Sequence, residues 1–185
     1  MVVDVQNDFA DPRGSLYVEE GEAVVPVIND EVRAASDAGA TVVYTLDWHP
    51  PDTPHFAKDG GTWPVHCVRD TWGAQLHPDL LVVGELLRLG TGGDDGYSAF
   101  TVSHPTTGET TSTGLAEKLR SKGVERVVVV GLAMDVCVRA TVLDAAGLGF
   151  SQVELVQAGT RPVELNAGDA ERAVADMREA GVALA

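Results

Sequence analysis

Arg126-Val-Val-Val-Val-Gly131-Leu-Ala-Met-Asp-Val-Cys137-Val138 is the stretch whose reading decides the fold. Its first half, Arg126–Gly131, is a continuous apolar run rich in β-branched residues, the pattern of a strand covered on both faces of a parallel sheet. Its second half leaves that strand and enters a helix predicted over Val136–Ala146. A strand that feeds a helix in this way is half of a βαβ unit.

Working outward, the alternation recurs. Strands are predicted at Met1–Val5, Thr41–Leu46, Leu80–Leu89 and Gln152–Gln157. Helices are predicted at Glu22–Ala38, with Gly39 as its C-cap, at Thr113–Lys122, closed by Gly123, and at Ala167–Ala180. Trp48–His77 lacks a clear period, and an irregular segment that long inside a compact domain is usually functional. There is no internal repeat, low-complexity tract or linker. The expected fold class is α/β: a three-layer, doubly wound, mostly parallel sheet with helices on both faces, in one domain over residues 1–185.

Composition excludes several function classes. The formal charge of −15 would repel phosphates, which argues against nucleic-acid or anionic-membrane partners. Cys67 and Cys137 are the only cysteines, too few for a disulfide scaffold. No apolar run reaches membrane-spanning length, and no basic segment followed by an apolar one opens the chain. A soluble, cytoplasmic protein is expected, and association into a homo-oligomer stays open.

Metal-ligating residues concentrate in one window: Asp47-x-His49, then His55, then His66. At the end of a strand, Asp-x-His puts both side chains on one face, because strand side chains alternate. Imidazole with carboxylate suits Zn, Mn or Fe(II), and the lack of thiolates argues against a closed structural zinc site. Spacing alone also fits histidines in a solvated loop. Cys137 stands where a strand meets a helix, and a helix N-terminus favours thiolate and offers backbone N–H groups to an oxyanion. A buried structural cysteine is the plainer alternative, and Cys67 is read that way or as a minor ligand. Asp4 lies on an apolar strand, where an unpaired carboxylate is costly; beside a thiol it can take and return a proton. In doubly wound folds ligands bind beyond the carboxyl ends of the strands. Asp4, Asp47, the residues after Leu89, and Cys137 are therefore expected on one rim.

These residues reach a family. Val3-Asp4-Val-Gln-Asn-Asp8-Phe9, with Gly14-Ser-Leu16, resembles the opening motif of the isochorismatase-like cysteine hydrolases. Asp47-Trp-His49, His55 and Trp63-Pro-Val-His66-Cys67 resemble the metal-binding segment of its nicotinamidase/pyrazinamidase branch. Gly96-Tyr97-Ser-Ala-Phe100 and Gly131-Leu-Ala133-Met-Asp-Val-Cys137-Val138 are similar to two further blocks. The resemblance runs through almost the whole chain in the family order. It implies hydrolysis of nicotinamide to nicotinate and ammonia through a thioester on Cys137, with Asp4 as its acid/base partner. It implies an oxyanion hole from the backbone N–H groups of Ala133 and Cys137, with a cis peptide bond before Ala133. It implies one divalent metal ion (Zn, Mn or Fe) on Asp47, His49, His55 and His66, which orients the substrate ring. It also implies a pocket walled by Phe9, Trp63 and Tyr97 for a small heteroaromatic amide.

The chain departs from the family pattern at the third catalytic residue. A Lys directly before Gly is expected there, and this chain has Leu89 before Gly90. Loss of that cation disfavours the charged forms of the nearby carboxylate and thiol. Arg88 would point to the opposite face of a regular strand unless a bulge brought it round. Impaired catalysis is therefore one expectation. Hydrolysis of another small amide (ureido, carbamoyl or lactam) and a non-catalytic, ligand-binding pseudoenzyme are the alternatives. Val136, before the nucleophile, replaces a larger side chain and implies a roomier pocket. Only three residues precede Asp4, so the first strand is expected to begin further upstream.

Overall fold

A computed structural model describes all 185 residues. Six parallel strands form the central sheet: β1 (Val2–Val3), β2 (Val43–Asp47), β3 (Glu85–Leu89), β6 (Arg126–Leu132), β7 (Gln152–Arg161) and β8 (Ala183–Leu184). The order across the sheet is β3-β2-β1-β6-β7-β8. The chain thus winds outward from β1 in one direction, then returns to the middle and winds outward in the other. The switch point lies between β1 and β6, where the crevice at the strands' carboxyl ends opens. Two short strands, β4 (Thr101–Ser103) and β5 (Thr110–Ser112), pair antiparallel in a separate hairpin.

Side-chain alternation splits the core into two layers. Val2, Tyr44 and Val130 face one side, packing with Val24, Val25, Ile28 and Val32 of α2 (Val24–Asp37). Their spacing along α2 is the stripe that a half-buried helix presents to a sheet. The short α1 (Asn7–Ala10) buries Phe9 and Ala10 on the same side. Val3, Val43 and Val129 face the other side, against α3 (Leu115–Ser121), α4 (Arg139–Gly147) and α5 (Asp169–Glu179). The three-layer α/β fold expected from the sequence is the one observed.

Several boundaries differ from expectation. Regular pairing of β3 begins only at Glu85, not Leu80, because the preceding backbone bonds to side chains. Leu81 N–H donates to Asn29 Oδ1 at 2.7 Å, and Leu81 O accepts the Tyr44 hydroxyl at 2.7 Å. The segment after β6 is not a plain helix from Val136; Met134–Val138 form a π turn that leads into α4. The β7 strand runs on to Arg161 because an irregularity between Val129 and Gly131 resets its pairing with β6. The β4–β5 hairpin lacks an apolar face, so periodicity did not mark it.

Gly131, opposite Val3, is the tightest point of the sheet. Its φ of +124° and an added Cβ only 2.0 Å from Val3 O leave room for glycine alone. Gly131→Ala is expected to cost about 3 kcal/mol or more from backbone strain and overpacking. Gly147→Ala in α4, where an added Cβ meets nothing within 4 Å, is expected to stabilise by about 0.5–1 kcal/mol. Urea denaturation of the two variants measures both; similar midpoints would contradict the packing described.

Candidate active site

At the switch point β1 ends in Asp4, whose backbone turns into the left-handed region (φ +49°). This turn brings its carboxyl against β2: Thr45 Oγ1 donates to Asp4 Oδ1 at 2.6 Å, and Asp4 N–H donates to the same hydroxyl at 3.2 Å. Across the crevice β6 passes through a cis Leu132–Ala133 peptide into the π turn that carries Cys137. The Asp4 carboxyl and the Cys137 thiol are close enough to perturb each other's proton affinity. Burial, then the charge of Asp47, pushes the Asp4 carboxyl well above its ordinary value. Burial, then the charges of Asp4 and Asp47, pushes the Cys137 thiol up as well. The thiolate expected from a helix N-terminus is thus not the resting form. In a cleft without a protein cation, burial beside two acids outweighs the local dipole.

Asp47 ends β2, and its backbone is clasped by Gln6. The Gln6 amide donates to Asp47 O at 2.7 Å and accepts Asp47 N–H at 2.8 Å. Burial raises the Asp47 carboxyl, but the imidazoles of His49 and His66, each 3.7 Å from Oδ2, outweigh it and hold it below its ordinary value. His49, His55 and His66 are all buried, and one ring nitrogen from each lies within 4.8 Å of the other two. His66 Nδ1 sits 2.7 Å from Pro64 O, and His55 Nδ1 sits 2.7 Å from Asp95 Oδ1. Both contacts leave Nε2 free. His49 has no hydrogen-bond partner on either ring nitrogen. Buried, unpaired imidazole nitrogens are costly, and a cation is the partner that this donor set fits. His49, His55 and His66 can therefore hold a divalent metal.

A small cleft adjoins these residues. Phe9, Trp63 and Tyr97 line it, together with Cys137, Ala133, His55 and His66. Trp63 Nε1 donates to Tyr97 OH at 3.0 Å, joining two segments across the rim. Val136 also lines the cleft, beside Val163. Cys67 stands apart from the histidine cluster: it is fully buried, and its N–H donates to Asp8 Oδ2 at 2.7 Å.

Leu89 pairs with Asp47 across β2–β3 and is buried. The register of β3 is regular, without a bulge, and the Arg88 guanidinium lies 4.3 Å above the Trp48 ring. Trp48 belongs to the core layer opposite Cys137. No side chain thus replaces the missing cation from this strand. Sequence reasoning missed Thr45, Gln6 and Asp95, which position site residues without touching the cleft. Thr45 and Gln6 each lie two residues from an acid already singled out, a signal that period-two alternation could have supplied for Thr45.

Comparison with known proteins agrees with this geometry. The family model described as an isochorismatase domain matches residues 1–184. The nicotinamidase of Escherichia coli (strain K12) is 35% identical over 203 residues, spanning 100% of this chain and 92% of that protein. The pyrazinamidase of Pyrococcus horikoshii, solved in complex with zinc, superposes with a TM-score of 0.85 at 38% identity, covering 100% of this chain and 96% of that one. PnC1 from L. infantum, solved in complex with nicotinate, gives a TM-score of 0.84 at 38% identity, covering 100% and 89%.

The raised Asp4 carboxyl has a consequence for stability. Below its ordinary value of 3.8 the group is neutral both folded and unfolded. Above that pH the unfolded chain ionises while the folded protein keeps the proton, so stability falls by roughly 1.4 kcal/mol per pH unit until the folded value is passed. Asp4→Asn removes this loss. Its melting point, relative to the parent in metal-free buffer, is expected to climb as pH rises above 3.8 and to level off once the folded value is passed; a constant difference would refute the assignment.

Proposed function

This chain belongs to the isochorismatase family, in its nicotinamidase branch, and we propose that it is a cysteine amidohydrolase that converts nicotinamide, or a close heteroaromatic relative, to the acid and ammonia. The observation that carries this reading is one cleft lined by Cys137, by Phe9, Trp63 and Tyr97, and by two of the three clustered imidazoles, with Asp4 near enough to the thiol to perturb it. A flat ring fits between Phe9, Trp63 and Tyr97. Asp47, His49, His55 and His66 would hold a divalent ion. When bound, such an ion supplies positive charge and an anchor for a heteroaromatic nitrogen.

The reaction follows from the proton inventory. Cys137 rests as a thiol, so attack needs a base; the ionised form of Asp4, made a stronger base by the burial that raises its carboxyl, is matched to that role. Asp4 takes the thiol proton as sulfur bonds to the amide carbon and the carbonyl oxygen gains negative charge. The backbone N–H groups of Ala133 and Cys137 are the proposed donors to that oxygen. Asp4 then protonates the amide nitrogen, the C–N bond breaks, ammonia leaves, and a thioester remains on Cys137. A water molecule gives a proton to Asp4 and attacks the thioester. The C–S bond breaks, sulfur recovers its proton, and the acid departs. The free state of both cysteines supports a reducing, cytoplasmic setting for this chemistry.

Leu89 favours a second reading, a binding protein with weakened or lost turnover. A positioned cation near two developing anions contributes on the order of 2–4 kcal/mol, by analogy with an oxyanion donor. Ammonia release from nicotinamide by the zinc-loaded protein decides between the readings. Slow turnover is expected, abolished by Cys137→Ala and raised roughly thirty- to a thousand-fold by Leu89→Lys. Silence in both the parent and the Leu89→Lys variant would leave hydrolysis of another small amide and the binding role. A thiol alkylating agent is expected to modify Cys137, which lines the cleft, well before the fully buried Cys67; equal labelling would argue against an accessible nucleophile.

A further inference from the structure

Asp95 lies outside every ligand pattern in the sequence, yet its carboxylate meets a buried histidine. His55 Nδ1 and Asp95 Oδ1 are 2.7 Å apart. A carboxylate can only accept, so Nδ1 carries the hydrogen and Nε2 keeps its lone pair. Pro64 O imposes the same state on His66 from 2.7 Å. Asp95 is itself held. Its Oδ1 accepts Gly96 N–H at 2.8 Å, and its backbone exchanges hydrogen bonds with Ser103 at the turn end of the β4–β5 hairpin. The carboxylate is therefore held in place by a hairpin none of whose residues lines the cleft.

We propose that Asp95 is a positioning residue of the metal centre: it locks His55 as the Nδ1–H tautomer and turns Nε2 toward His49 and His66. This inference rests on the metal-binding reading above. Outer partners of this kind raise ligand basicity and fix ring orientation, and their loss typically weakens metal binding 10- to 100-fold. The rival role is mechanical, with the contact merely fastening the hairpin to the loop that carries His55.

Two measurements separate these roles. Nitrogen-15 NMR of the metal-free protein reads the tautomer of His55, and competition with a chromophoric chelator reads the zinc dissociation constant. Parent protein is expected to show His55 as Nδ1–H. Asp95→Ala is expected to shift it toward Nε2–H and to weaken zinc about 10- to 100-fold, while Asp95→Asn, whose amide oxygen still accepts, loses less. In a His55→Ala background, Asp95→Ala is expected to change zinc affinity no further. Asp95→Ala with unchanged tautomer and affinity, or with an equal loss when His55 is absent, overturns the proposal alone. The same holds if only the melting point of the metal-free protein falls. Parent protein that takes up no zinc removes the metal centre, and this inference with it.

Discussion

The close approach of β1 and β6 is the constraint on which the rest of the structure depends. Val3 and Gly131 sit side by side at the middle of the sheet, where a side chain at position 131 would collide with the Val3 carbonyl. Only because the two strands touch there do their carboxyl ends open onto the same crevice. The left-handed turn at Asp4 and the π turn at Cys137 then face each other across it. An α/β sheet offers such a crevice where its winding reverses, and here the reversal falls between these two strands.

Electrostatics in that crevice are lopsided. Asp4, Asp47 and Cys137 are buried together, and the nearest strand supplies Leu89 and an Arg88 that is committed to Trp48 on the far layer. The two carboxyl groups divide their labour in response. Paired imidazoles lower the proton affinity of Asp47, while burial and the charge of Asp47 raise that of Asp4. That division matches the roles proposed for them, proton transfer for Asp4 and cation binding for Asp47. Three convergent histidines beside the anion fit the same arrangement.

Much of this was legible along the chain. The apolar run Arg126–Gly131 gave the parallel sheet, and the strand-end positions of Asp4, Asp47 and Cys137 gave the shared rim. Period-two alternation also gave the direction of Arg88. Less was legible where the backbone bonds to side chains. Leu80–Gly84 reads as strand by composition, but its polar groups are claimed by Asn29 and Tyr44. The polar β4–β5 hairpin has no hydrophobic signature, and Asp95 rides on it unseen.

Residue type and local order determined the fold class, the acid, the thiol and the cluster of imidazoles, because hydrophobic periodicity and ligand chemistry are properties of neighbours in sequence. Tertiary structure alone decided how proton affinity is shifted at each acid and which nitrogen His55 and His66 offer. Those properties depend on burial and on partners such as Thr45, Pro64 and Asp95. Two of these are brought to Asp4 and His55 from about forty residues away, by strand pairing and by a hairpin.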